Sequence, residues 1–361
     1  MKGALLALLL MAAAPAAAAP SATLIKACET PKGLVFDGGG YGGISGIDYD
    51  PRSGLWAIIS DDKSEHGPSH AFLGRLDLRP GAPCGPALEV MIPLRREDGS
   101  TFPDRKAGTE AADGEAIRFD PKGQDLVWAT EGDFEHGDPP AIRRLSRDGR
   151  PVARLVAPGN LRFRPDGRTG ARKNAAFEGL SWSANGRSLW VSMEWPLVQD
   201  GPIPSVAAGG LTRLSRLDRS GRVLAQYAYP VDPAQAASPV GVGDNGVSEI
   251  LALDARRLLV LERSGIKGAD GRYSYHVRLY LADLSRAEDV SRRPSLADGS
   301  VRVVEKRLLV NFDRLGIRID NLEAMAWGPR RKDGARTLVL ASDDNYDAHQ
   351  INQILVLRVA P

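Results

Sequence analysis

GEAIRFDPKGQDLVWATEGD, residues 114–133, holds a short strand opening on an acid, a turn at Asp120-Pro121-Lys122-Gly123, and a strongly apolar strand ending on acids. The same plan recurs in GISGIDYDPRSGLWAIISDD (43–62), FEGLSWSANGRSLWVSMEW (177–195), VSEILALDARRLLVLERSG (247–265) and NLEAMAWGPRRKDGARTLVLASDDN (321–345). Aligned on the acidic or small polar residue near the start of each copy, the key positions are Ser45, Glu115, Glu178, Glu249 and Glu323, spaced 63 to 74 residues apart. A regular period of this size over most of the chain signals a repeat architecture.

Working outward, each of the first four copies is followed by two further runs in which β-branched and aromatic residues alternate with polar ones, bounded by Gly, Pro, Asn and Asp. Four antiparallel strands per repeat describe a propeller blade. The reading is therefore all-β: one β-propeller over residues 20–361, with five visible repeats and a sixth blade as the alternative if one hides in the long connections. The fifth copy is followed by only one more strand, QINQILVLRV (350–359), and the segment ATLIKACETPKGLVF (22–36) is expected to supply its missing fourth. No stretch sustains a 3.6-residue apolar period beyond about two turns, which excludes long helices.

The chain starts with Lys2, an apolar run over 4–14 and Ala-x-Ala sites near position 20, the pattern of a secretory leader over 1–19. The run is too short to span a bilayer, and the remainder is expected in the periplasm or outside the cell. In an oxidising compartment the two cysteines, Cys28 and Cys84, are expected to form one disulfide. A formal net charge of +2, with arginines scattered singly, argues against nucleic acid as a partner.

In a propeller the loops entering each inner strand and leaving each second strand share one face. Here both carry acids: Glu115, Glu178, Glu249 and Glu323 entering, and Asp61, Asp62, Glu131, Asp133, Glu194, Glu262, Asp343 and Asp344 leaving. Such a cluster repels itself unless some pKa values rise or a cation binds. Calcium, which takes six to eight oxygens, suits carboxylates best; the expected ligands are Glu115, Glu178, Glu249, Glu323, Asp343 and Asp344. The alternative is that each acid pins neighbouring backbone N–H groups. Basic residues near this face, Lys173 and Arg263 among them, suit a small anionic ligand. His66, His136 and His349 fall in equivalent loops and are acid/base candidates. Trp195, just past a strand, is either core or a sugar-stacking surface. GGGYGG (38–43) matches the dinucleotide pattern GxGxxG, but a strand follows it where a helix is needed. No GxSxG or HExxH occurs.

KNAAFEGLSW (173–182), GVSEILALD (246–254), NLEAMAWGP (321–329) and SDDNYDAHQINQILVL (342–357) together resemble the bacterial esterase-like phytase family, or phytase-like domain. The resemblance implies an exported propeller with phosphoesterase or esterase activity, and its motif acids fall on Glu178, Glu249, Glu323, Asp343 and Asp344, with Asn345. The DDPAIW-like and NNVDIR-like stretches of calcium-dependent propeller phytases do not occur in this sequence. The expected function is metal-dependent hydrolysis of phosphoesters or related anionic esters; the alternative is a non-catalytic propeller binding an anion or protein at the acidic mouth.

Overall fold

The computed structural model describes residues 20–107, 110–123, 125–164 and 166–360; the expected leader, 1–19, lies outside the described residues. Five four-stranded antiparallel sheets form a five-bladed propeller. From the axis outward, blade 1 consists of Ile44–Asp50, Leu55–Ser60, His70–Arg75 and Ala87–Pro93. Blade 2 consists of Gly114–Phe119, Leu126–Thr130, Ala141–Leu145 and Pro151–Val156. Phe177–Trp182, Ser188–Met193, Gly210–Asp218 and Val223–Val231 make blade 3, and Gly246–Ala252, Arg257–Lys267, Tyr273–Asp283 and Glu305–Asn311 make blade 4. Blade 5 joins both ends of the domain: Asn321–Trp327, Arg336–Asp343 and Asn352–Ala360 are completed by Ser21–Thr30, antiparallel to the last. The expected N-terminal closing strand is thus in place, and the described residues hold five blades rather than six. None of their helices is long and apolar enough to cross a membrane.

The inner hairpins turn on side chains that mimic backbone. Asp50, Asp120, Asn185 and Asp254 each accept an N–H from two residues ahead, which fixes the turns after the inner strands of blades 1 to 4. Between blades the inward-alternating residues interdigitate: Val127, Ala129 and Ile142 of blade 2 pack on Phe177, Leu180, Val191 and Met193 of blade 3. Each such buried Leu, Ile or Val is worth about 2 kcal/mol.

At the same place in every inner strand the register slips. Gly114 faces Thr130 but Ala116 faces Ala129, so Glu115 is an extra, bulged residue. Ser45, Glu178, Ser248 and Glu323 take this place in the other blades. This corrects the alignment for blade 4. Its bulged residue is Ser248, and Glu249 belongs to the next column, with Gly46, Ala116, Gly179 and Ala324.

That column faces the crowded axis. A Cβ on Gly46 would lie 2.8 Å from Ala116 Cα, and one on Gly179 would lie 2.6 Å from Ile250 N. Only blade 4 places a long side chain there. Glu249 Oε2 accepts from Arg118 Nη2 at 2.6 Å, and its Oε1 accepts the N–H groups of Leu180 and Ile250. Arg118 also donates to the carbonyls of Ile47, Ile117 and Met325. The pair therefore touches all five blades, and both side chains are sealed, at 2% and 0% exposure.

Cys28, on the closing strand of blade 5, is disulfide-bonded to Cys84, in the loop before the outer strand of blade 1, with Cα atoms 5.8 Å apart. The bond staples the seam of the ring.

Two outcomes follow. Closing a 56-residue separation is worth about 4 kcal/mol in the chain-entropy model, so the Cys28→Ser, Cys84→Ser double variant is expected to unfold at correspondingly lower urea. Arg118→Met alone strands a buried carboxylate and is expected to cost about 3–5 kcal/mol in the same measurement. A loss under about 1 kcal/mol would contradict the role given to the axial pair.

Candidate functional site: an acidic propeller mouth

Opposite the residue two before each bulge, the chain places one residue at the rim of the channel. Asp61, Glu131 and Glu194 donate their N–H to the carbonyls of Gly43, Asp113 and Ala176, while Arg263 and Asp343 pair with Gly246 and Asn321. Four of the five equivalent positions are thus acids and the fifth is an arginine. The bulges add Glu115, Glu178 and Glu323, because a bulge turns its extra side chain away from the ladder. With Asp113, Asp244 and Asp347 they line a mouth of about 530 Å3 that holds ten carboxyl groups and two cations, Lys63 and Arg263.

The cations are committed. Lys63 Nζ lies 2.8 Å from Asp113 Oδ2, and Arg263 Nη2 lies 2.9 Å from Glu194 Oε1 and 3.4 Å from Glu323 Oε1. The remaining carboxyls crowd one another, and these cations offset only part of the repulsion. Burial, followed by the charge of neighbouring carboxylates, pushes Asp61, Glu115, Glu178 and Asp343 well above their ordinary values. Burial likewise raises Glu194 against the pull of Arg263, and takes Glu131 up to about 8. Asp113 is 5% exposed, and its Oδ1 has no hydrogen-bond partner. Asp113, Glu115 and Glu131 each offer an oxygen within 4.8 Å of the others. An all-oxygen, anionic donor set with an unpartnered buried oxygen fits a hard divalent cation.

Of the expected ligands, Glu115, Glu178, Glu323 and Asp343 meet in this mouth, and Glu249 and Asp344 do not. Glu249 is held on the axis by Arg118. Successive strand residues face opposite ways, so Asp343 enters the mouth while Asp344 turns back to accept the N–H groups of Gly43 and Tyr346 and the amide of Asn352. Asp62 is spent in the same manner on Glu65 and His66. Glu262 is buried between blades 3 and 4 with Tyr229, Asn245 and Lys306.

Among the candidate acid/base and anion-holding residues, only Arg263 reaches the mouth. His66 stacks on Tyr346 at 4.0 Å, His136 pairs with Asp133 at 2.6 Å, and His349 is exposed in the last turn. All three sit in loops capped by aspartates, and none lines the mouth. Lys173 lies on the rim, paired with Glu135. Sequence reasoning missed Asp113 and Asp244; an acid two residues before a bulged glutamate, as in Asp113-Gly114-Glu115, was the available signal for the first. The glycine run also has a reason. A Cβ on Gly42 would lie 2.9 Å from the Tyr346 ring, and one on Gly43, at φ +60°, would lie 2.3 Å from Asp61 Oδ1.

A family described as phytase-like, esterase-like activity of phytase, matches residues 39–346. An uncharacterized secreted protein of Arthroderma benhamiae is 25% identical over 240 residues, which span 56% of this chain and 46% of that protein. Among solved structures, a putative glucose dehydrogenase-type oxidoreductase of Thermus thermophilus is similar at 19% identity and a TM-score of 0.38, covering 88% of this chain and 84% of that one. A mannose phosphorylase of Leishmania mexicana is similar at 10% identity and a TM-score of 0.42, covering 92% and 88%.

The raised carboxyls make a signed prediction. A folded state that holds protons the unfolded chain has released loses stability as pH rises through that window. For Glu131 the window runs from the ordinary 4.5 to about 8. Without divalent metal, the urea midpoint is expected to fall steadily over this range. Asp50, lowered by Arg52 and Arg147 despite partial burial, contributes with the opposite sign, and its stability is lost only on acidifying below the ordinary 3.8. A flat profile between about pH 5 and 8 in chelator would show that the mouth is compensated in some other way.

Proposed function

The chain belongs to the phytase-like family, and from that premise and its acidic mouth we propose that it is an exported, metal-dependent hydrolase of phosphoesters or related anionic esters. The observation that carries the reading is the charge balance of the mouth, ten carboxyl groups against two cations, with Asp113 Oδ1 buried and unpartnered. Asp113, Glu115 and Glu131 would hold the cation, most readily calcium, with Glu178, Glu323 and Asp343 at hand for the further oxygens it takes. Bound there, a divalent ion supplies Lewis-acid polarisation of an anionic ester and cancels the repulsion that otherwise excludes anions.

The chain's own groups then orient the substrate. Arg263 keeps its Nε–H without a partner, a donor for an ester oxygen, and Lys63 adds positive charge across the mouth. Export is supported by the leader pattern, by the disulfide and by a relative described as secreted. One observation favours the second reading, a binding module without turnover: none of the three loop histidines lines the mouth, so no imidazole is placed as a base.

The test separates these readings. Calcium at about 100 times its Kd is expected to stabilise the protein by about 2.7 kcal/mol, seen as a rise in Tm that Asp113→Asn and Glu115→Gln abolish. Glu249→Gln is expected to lower stability equally with and without calcium. An enzyme hydrolyses p-nitrophenyl phosphate and stops in chelator, whereas a binding module shows the same calcium shift with no turnover. Identical melting in calcium, zinc and chelator would sink the metal reading altogether.

A further inference from the structure

The acidic mouth has one wall of a different character. The hairpin of blade 4, Arg257–Lys267 and Tyr273–Asp283, has strands of 11 residues, against 6 in the corresponding hairpin of blade 1. The extra five residues carry it roughly 16 Å past its counterpart, at about 3.3 Å per residue. Tyr273 and Tyr275, two apart on one strand, share a face; their rings stack at 6.3 Å and 20°, and both line the mouth. Gly265 lies opposite Tyr275 and sets no side chain against either ring, while Lys267, opposite Tyr273, holds its ammonium 5.9 Å from that ring's centre. Tyr273 is 44% exposed. Trp195, directly after Glu194, lines the same mouth with its Nε1 buried and without a partner.

An extended hairpin that leaves Tyr273 exposed and Tyr275 half-buried gains little for the core. It does present flat apolar faces in the same mouth as groups that lack hydrogen-bond partners: Trp195 Nε1, a donor, and Asn321 Oδ1, an acceptor. Rings that offer C–H faces to aromatic side chains, and hydroxyls to acceptors and donors around them, fit both halves of this surface.

We propose that Tyr273, Tyr275 and Trp195 form a stacking platform for the ring of a sugar phosphate, whose phosphate is directed to Arg263 and to the cation that the carboxylate floor would hold. The identity of the phosphate end rests on the hydrolase reading above; the platform rests on the aromatic wall.

Calorimetric titration of the calcium-loaded protein with glucose 1-phosphate, inorganic phosphate and phenyl phosphate tests this. Glucose 1-phosphate is expected to bind about tenfold tighter than inorganic phosphate, the size of one good stacking contact. Tyr273→Ala and Tyr275→Ala are expected to erase that advantage, and the Phe variants to retain it, while the calcium-induced rise in Tm stays unchanged in all four. Equal affinity for sugar phosphate and phosphate, tightest binding of phenyl phosphate, or an advantage that survives both Ala variants would overturn the platform. A calcium shift with no sugar preference defeats this inference and leaves the metal reading standing. Sugar preference that depends on the tyrosines without any calcium shift does the reverse.

Discussion

The ion pair between Arg118 and Glu249 sets the geometry on which everything else in this propeller depends. Two charges sealed on the axis carry a desolvation cost that their hydrogen bonds must offset, and among the Arg118 N–H groups only Nε–H lacks a partner. The partners come from every blade: carbonyls of Ile47, Ile117 and Met325, and the N–H groups of Leu180 and Ile250. Each inner strand must hold its height along the axis for these groups to converge. The other four members of the Glu249 column are glycine or alanine because the strands approach too closely there for more. The pair also divides the channel. Arg118 faces the opposite opening, lined by Trp182, Trp327 and Arg336, while the acids collect above it.

The blade pattern was legible in the sequence because it rests on local chemistry that repeats: alternating strands, Asx turns, and acids at strand ends. The closing strand was legible because the fifth copy ran out one strand short. The position of Glu249 was not. Reading Ser248-Glu249 against Glu115-Ala116 requires knowing that a bulge, not an acid, defines the column, and a bulge shifts the register without leaving a residue type of its own. In hindsight the small-residue column was the better anchor, since Gly46, Ala116, Gly179 and Ala324 are fixed by sterics. The paired aspartates misled for a related reason. Asp343-Asp344 look alike in sequence, but a strand sends one to the mouth and the other to the backbone.

Arg263 shows how the mouth differs from a simple acidic ring. It stands at the rim position that is acidic in every other blade, and it reaches Glu194 on one side and Glu323 on the other. Blade 4 is therefore basic at its rim and carries serine at its bulge, so the negative charge is lopsided. Blades 2 and 5 each bring three of the mouth's carboxyls and blade 3 brings two. A cation drawn to Asp113, Glu115 and Glu131 would face Arg263 across the opening, and a bridging anion would see positive charge from both sides. On the reading proposed above, the long hairpin of blade 4 would meet the body of a ligand on the side away from the cation.

Two of these carboxyls load the ring at its weakest place. Asp61 and Asp343 belong to blades 1 and 5, on opposite sides of the seam where the two ends of the domain meet; after burial, Asp61 raises the pKa of Asp343 by repulsion, and Glu323 adds to both. Repulsion there pushes the seam apart. The restraints gather at the same joint: the Cys28–Cys84 bond, the Lys26 ammonium on the Asp77 carbonyl, the Gly43 N–H on Asp344, and Tyr346, which stacks on His66 and shares a hydrogen bond with Ser60. A covalent staple restrains the unfolded chain whatever the charge state of the mouth, whereas the hydrogen bonds only hold positions once the ring has closed. An acidic site astride a propeller seam therefore gains most from the covalent bond, which restrains the joint whatever charge the carboxyls carry.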